Sequence, residues 1–186
     1  MLSDREYLNF ERRHLAQTTR ALKTVLDSET FNQRPLMNFY RAVVAYLAFN
    51  VRRLCLQDKT LADLVAQRFD KPDPVLRETL AAVYGRLENH RKNIATLLTG
   101  MAEFERTGPK GQKTFENAAR AYLDARERNR GSHTLTTWRD QVIVEADWGT
   151  IAARTDAEVE AEKALFDTVE AFMPEGLDQA LAAAKS

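Results

Sequence analysis

The chain lacks the means for an internal disulfide, because its 186 residues include one cysteine, Cys55. A lone thiol suits a reducing compartment. Glycine (7) and proline (5) are scarce while Ala, Leu, Glu, Arg and Lys dominate, so helix is favoured over sheet. Net charge is also missing: 27 basic residues balance 27 acidic ones, which removes any bulk pull toward nucleic acid or an anionic membrane. The longest wholly apolar run, AVVAYLAF from Ala42 to Phe49, falls far short of the ~20 residues of a membrane span. The opening MLSDREYLNFERRH carries acids and no apolar run, so it does not read as a signal peptide. A cytoplasmic protein is the expectation. A Gly-rich phosphate loop is absent too, since GPKGQK has neither the P-loop spacing nor a Ser or Thr after its lysine.

What is present is helical periodicity. Leu76, Leu80, Val83, Leu87, Ile94, Leu97 and Met101 recur in steps of three and four, the inward seam of an amphipathic helix from about Val75 to Phe104. The position that completes this seam, 90, is a histidine. Upstream, Ser3 with Glu6 makes a capping-box pattern for a first helix to about Leu26, with a stripe of Tyr7, Phe10, His14, Thr18, Ala21 and Val25. Pro35 suits the first turn of a second helix, with a seam of Met37, Tyr40, Val44, Leu47, Val51 and Leu54. That helix, or a short successor, continues through TLADLVAQRF until the two prolines of DKPDP break it.

The stretch RTGPKGQK reads as a loop, after which a fourth helix starts near Thr114 with Phe115, Ala119, Tyr122 and Arg126 on one side. It is interrupted near RNRGSH, and its RAYLDARERNR face, with acids between the arginines, reads as solvated. DWGTIAAR, DAEVEAEKALFDTVEAFM and GLDQALAAA read as shorter helices, with Trp138, Trp148 and Phe166 as apolar anchors. These elements predict one all-α domain over 1–186: an up-down four-helix bundle over about 3–145 with additional C-terminal helices over about 145–186. No apolar stripe outside the seams demands a dimer, and a symmetric homodimer through one helix face stays open.

Two histidines, His14 and His90, occupy buried-stripe positions on different helices. Bundle cores are where helical metal sites are built, and imidazole is a preferred ligand of iron and zinc. In chain order, ERRHLAQTTRALKTVL, AYLAFNVRRLCLQDKTLADLV, GRLENHRKNIATLL and SHTLTTWRDQVIVEADWGTIAAR resemble the segments of bacterial hemerythrin-like proteins, the HHE cation-binding domains. The later ALFDTVEAFMP resembles that family's close.

The resemblance implies a hemerythrin-like bundle with His14 and His90 at ligand histidines and Asp147-Trp148 at a terminal Asp-Trp. It also implies what is lost. Members of the family hold two irons with several histidines and a pair of carboxylates, whereas this chain has three histidines in all. In the ungapped register Cys55 and Leu56 replace two histidines, Gln57 a proline and Asp58 a lysine. Lys59 replaces a ligand glutamate, and Glu127 a fourth-helix histidine whose glutamate partner falls near Gly131. A gap would let His133 take that fourth-helix place instead.

Keeping carboxylates without the metals would leave buried like charges, an expensive arrangement. The expectation is therefore a polar network of His14, Lys59, His90 and Glu127 across the former site. Against it stands the simpler reading that Lys59 and Glu127 snorkel to solvent. The leading functional expectation is a non-enzymatic, degenerate member with no diiron centre and no cofactor, a binding or regulatory module for a small molecule or protein. The alternative is a non-heme iron or zinc protein with a reduced site at His14, Cys55 and His90, handling oxygen, nitric oxide or metal. A nucleophilic role for Cys55 competes with that of a small buried hydrophobe between Leu54 and Leu56, and the latter is preferred.

Overall fold

The computed structural model describes residues 3–28, 31, 36–128 and 135–177. Helix α1 spans Asp4–Asp27 and begins at the expected capping box: Glu6 N–H donates to Ser3 Oγ at 3.3 Å, and Ser3 N–H donates back to Glu6 Oε2 at 2.8 Å. Its buried face is Tyr7, Leu8, Glu11, Leu15, Thr18, Leu22 and Val25. Four of the six expected stripe residues, Tyr7, Thr18, Ala21 and Val25, are buried. Glu11 and Leu15 face inward, while Phe10 and His14 lie half-buried at the edge.

Helix α2, Met37–Gln67, is one continuous element and carries buried residues on nearly every side from Phe39 to Val51. An all-round apolar helix belongs in the centre of a fold, and α2 packs against α1, α3, α5, α6 and α7 and meets α4 through Tyr40. Pro35 lies outside the described residues. After the DKPDP break, Asp73 Oδ1 accepts from Leu76 N–H at 2.7 Å and Pro74 opens α3, Pro74–Thr107. The expected seam is buried from Leu76 to Leu87 and again at Leu97 and Met101, with His90 and Ile94 half-buried between.

The expected loop at RTGPKGQK is a single residue. Gly108, at φ 62°, ends α3, and α4, Pro109–Arg128, starts directly after it, five residues before Thr114. Proline fits the first turn of a helix, so GPKGQK reads as a turn and a start rather than a loop. The turn is tight. A Cβ on Gly111 would collide with Thr107 Oγ1 and lie 2.9 Å from Phe104 Cα. Around this end Phe115 packs against Tyr40 (ring centroids 4.8 Å) and Phe104 (5.9 Å), locking α2, α3 and α4 together.

Three shorter helices follow: α5, Leu135–Val142; α6, Asp147–Ile151; and α7, Asp156–Ala171. Thr155 and Glu158 form a second capping box at the start of α7. Most of GLDQALAAA lies outside the described residues. Helix α3 packs on α2 and α4, α4 reaches back to α1, and α5, α6 and α7 all lie against α2. Phe166 is buried as expected of an anchor, whereas Trp138 and Trp148 are only partly covered. Every described element is helical, and no described helix is long and apolar enough to cross a membrane.

Candidate functional site

Between α1, α2 and α7 the core turns polar. Tyr46, Asn50, Arg53 and Gln57 recur in steps of four, three and four, so one face of α2 carries a row of buried polar side chains. Opposite them stand Glu11 of α1 and Glu162 of α7, 4% and 1% exposed. Both Glu11 oxygens are engaged: Arg53 Nε donates to Oε1 at 2.6 Å and Gln57 Nε2 to Oε2 at 2.8 Å. Arg53 Nη1 also lies 3.2 Å from Glu158 Oε1. Burial opposes the charge on Arg53, but the Glu11 hydrogen bond and the Glu11 and Glu158 charges outweigh it and hold its pKa above the usual value.

A second arm of the cluster centres on Glu162. Its Oε1 accepts from the Tyr46 hydroxyl at 2.9 Å and lies 2.9 Å from His14 Nδ1. Burial, then the Glu162 charge and hydrogen bond, push the Tyr46 phenol far above its ordinary pKa. Tyr7 is raised to about 12 by burial and by Glu11 and Glu162. Neither phenol is a base near neutral pH. A small cavity of about 10 Å³ lies beside Glu11, Asn50 and Arg53, room for about one water molecule. Among the described residues the buried Asn50 Nδ2 and Arg53 Nη2 of its wall have no hydrogen-bond partner.

The expected site residues are dispersed. His14 reaches the network, but through Glu162 and by stacking on Phe166. Cys55 is nine residues along α2 from Tyr46, roughly 13 Å along the axis, and its thiol faces Leu87 O of α3 at 3.9 Å. Burial and the nearby Asp58 raise its pKa, so it is a protonated core thiol rather than a nucleophile. His90 faces Arg86 and Arg126, and burial together with those cations lowers its pKa, which keeps it neutral at pH 7. Lys59 is exposed and pairs with Asp63 one turn on, at 2.6 Å, while Glu127 is exposed near the end of α4.

Of the four residues expected to form one network, His14 thus pairs with Glu162 and Lys59 with Asp63. Lys59 meets a carboxylate on its own helix at the surface, so its ammonium stays hydrated. His133 and Gly131 lie outside the described residues. Among the described residues no three His, Cys, Asp or Glu side chains stand close enough to hold a metal ion, so His14, Cys55 and His90 are not a donor set.

A larger cavity of about 150 Å³ opens where α6 meets α1 and α2. Its floor is Leu8, Ile151 and Gln57, all buried, and its rim carries Arg5 and Arg12 of α1 and Arg139 of α5. Asp58 stands in its wall. Among the described residues that carboxylate accepts no hydrogen bond, and its near charge is Arg12 Nη2 at 3.8 Å. Burial raises its pKa, against the pull of Arg12 and Arg86. Arg5 lies over the Trp148 ring, 5.5 Å from the centroid.

The polar row on α2 was readable in the sequence as a four-three-four spacing of Tyr46, Asn50, Arg53 and Gln57. The apolar seam written for that helix masked it. Glu11, Glu158, Glu162 and Asp58 were signalled only by position relative to helices whose pairing the sequence does not state. Compared with protein-family models, curated proteins and solved structures, the chain matches none of them.

Proposed function

We propose that this protein is a degenerate hemerythrin-like four-helix bundle, formed by α1 to α4, that acts in the cytoplasm as a metal-free, non-enzymatic binding or regulatory module. The neighbour order supports the bundle: α1 contacts α2, α2 contacts α3, α3 contacts α4, and α4 returns to α1. One observation carries the functional reading. The buried carboxylate of Glu11 has both oxygens committed to protein donors, Arg53 and Gln57. A guanidinium fixed in the core supplies the positive charge that a metal would bring, and it would repel a metal ion placed beside it. Cation and amide donors of this kind hold a buried carboxylate charged without a metal.

Such a core holds no activated nucleophile, while a cavity with charged walls opens beside it. That combination suits recognition of a small molecule rather than its conversion. The test is elemental analysis of protein purified without chelator and offered ferrous iron anaerobically, with the absorption spectrum recorded after air. The expected result is no stoichiometric metal and no oxo-bridge band in the near ultraviolet. Bound iron or zinc in stoichiometric amount, lost on His14→Ala or Cys55→Ala, would overturn the reading.

A further inference from the structure

We infer that the cavity between α1, α2 and α6 binds a free amino acid with an aliphatic side chain, its ammonium on Asp58 and its carboxylate on the guanidiniums of the rim. This rests on the binding-module reading above and adds the ligand to it. The size is set by the space. A cavity of about 150 Å³ matches one known to hold a six-carbon ring, so the occupant is small. Its charges are set by the walls.

Arg12 and Arg5 have donors that no described carboxylate engages at hydrogen-bonding distance, and Arg139, which pairs with its sequence neighbour Asp140, also lines the cavity. Guanidiniums present paired donors that fit a carboxylate. A simple anion does not satisfy the site, because it would sit beside the Asp58 carboxylate and leave that group without a donor. A simple cation would meet three guanidiniums. A zwitterion answers both: an ammonium has three donors for Asp58, and a carboxylate takes the guanidinium donors.

The apolar part of the ligand follows from the floor. Leu8 and Ile151 are buried there, and Leu61 and Trp148 pack against them. A branched aliphatic side chain placed on these groups brings no polar atom that needs a partner, and the Asn9 and Gln57 amides that also line the cavity stay beside the charged ends of the ligand. Asp58 is the discriminating residue, since among the described residues its carboxylate is the only acidic group in the cavity wall. Arg12 belongs to both halves, orienting Asp58 at 3.8 Å and facing the ligand carboxylate.

The experiment is a titration of the whole chain with L-leucine, read by the Trp148 indole resonance in proton–nitrogen spectra and assigned through Trp138→Phe. Two fragments run beside it: 4-methylpentanoate, which lacks the amine, and 3-methylbutylamine, which lacks the carboxylate. Leucine is expected to shift the Trp148 signal saturably, with each fragment about tenfold weaker or worse. Asp58→Asn, close to isosteric, should abolish the preference for leucine over 4-methylpentanoate, and Arg12→Gln should weaken leucine and 4-methylpentanoate together. The inference is overturned if leucine, isoleucine, valine and methionine leave the Trp148 signal unmoved at millimolar concentration. It is equally overturned if the amine-free acid binds as well as leucine to the unmodified protein. Neither result bears on the metal analysis, so the two readings fail separately.

Discussion

The imidazole of His14 lies flat on the ring of Phe166, with centroids 3.8 Å apart and planes 4° from parallel. The Phe10 ring lies 4.0 Å from the same imidazole, tilted by 57°. The stack on Phe166 fixes the ring so that Nδ1 meets Glu162 Oε1, and it joins α1 to α7. A carboxylate 1% exposed with two partners leaves both unsatisfied when it is removed. Glu162→Ala should lower stability by about 3 kcal/mol, from the stranded His14 and Tyr46 groups and the lost packing. Phe166→Leu, which keeps the hydrogen bonds but loses the stack, should cost about 1 kcal/mol. Urea unfolding followed by circular dichroism gives both values. Equal losses would mean that the ring stack, rather than the carboxylate, holds α7 in place.

Arg53 and Glu11 make a second testable pair. Arg53→Met strands a buried carboxylate and should destabilise by about 3–5 kcal/mol. Glu11→Leu strands the guanidinium instead, although Glu158 remains within reach, so its loss should be smaller. The double variant removes the pair and replaces it with hydrocarbon of similar bulk, and it should be clearly more stable than the sum of the two losses predicts. A strictly additive pair in a double-mutant cycle would show that the 2.6 Å contact contributes nothing through coupling.

How far the sequence carries this structure differs by element. The α3 seam was legible because Leu76 to Met101 repeat without competition, and the capping box at Ser3 is a local pattern that local chemistry satisfies. In the α1 stripe Tyr7, Thr18, Ala21 and Val25 are buried as expected, and the departure is at Phe10 and His14. Choosing Phe10 and His14 over Glu11 and Leu15 puts aromatic rings inside, which is right on hydrophobicity alone, but Arg53 compensates Glu11 from a helix whose facing residues periodicity cannot name. The short turn at Gly108 was hidden because Gly, Pro and Lys spell a loop by composition, while Pro109 in fact begins a helix. Lys59 followed from a register in the family resemblance, and one turn away Asp63 gave it a surface partner. Polar networks depend on which helix faces which, and that is the information a single sequence states least.

The glycines offer a prediction of opposite signs. Gly85 sits on the exposed face inside α3, and nothing lies within 4 Å of the position a Cβ would take. Gly85→Ala should stabilise by about 1 kcal/mol, the helix-propensity difference gained partly through the unfolded chain. Gly111 sits in the first turn of α4 with Phe104 and Thr107 against it. Gly111→Ala has to force α4 away from α3 and should be destabilising by about 1–3 kcal/mol despite the same propensity gain. Thermal melts of the two variants check the pair, and a stabilised Gly111→Ala would mean that the turn after Gly108 is looser than the geometry gives.

Asp58 predicts a pH dependence whose sign separates it from ordinary surface carboxylates. Burial lifts its pKa above 3.8, against the opposing pull of Arg12 and Arg86. Arg5 and Arg12 of α1, Arg139 of α5, and Arg86 and Cys55 from the α2–α3 side are the charged and titratable groups around it. The arginines keep their charge throughout the range that matters. Because the folded chain holds this proton more tightly than the unfolded chain does, the contribution to stability is fully present below the unfolded value near 3.8. It is lost as pH rises through the raised folded value. Asp58→Asn removes the titration while keeping the shape. The variant should therefore match the parent in acid and become the more stable of the two toward neutral pH. Melting temperatures of both proteins measured across that range decide it. Parallel curves would mean that the cavity already compensates the Asp58 charge, and with it would go the need for an ammonium in the wall of that cavity. A gap that widens with pH would instead mark Asp58 as a residue kept at the expense of stability, the pattern expected where a carboxylate serves a ligand rather than the fold.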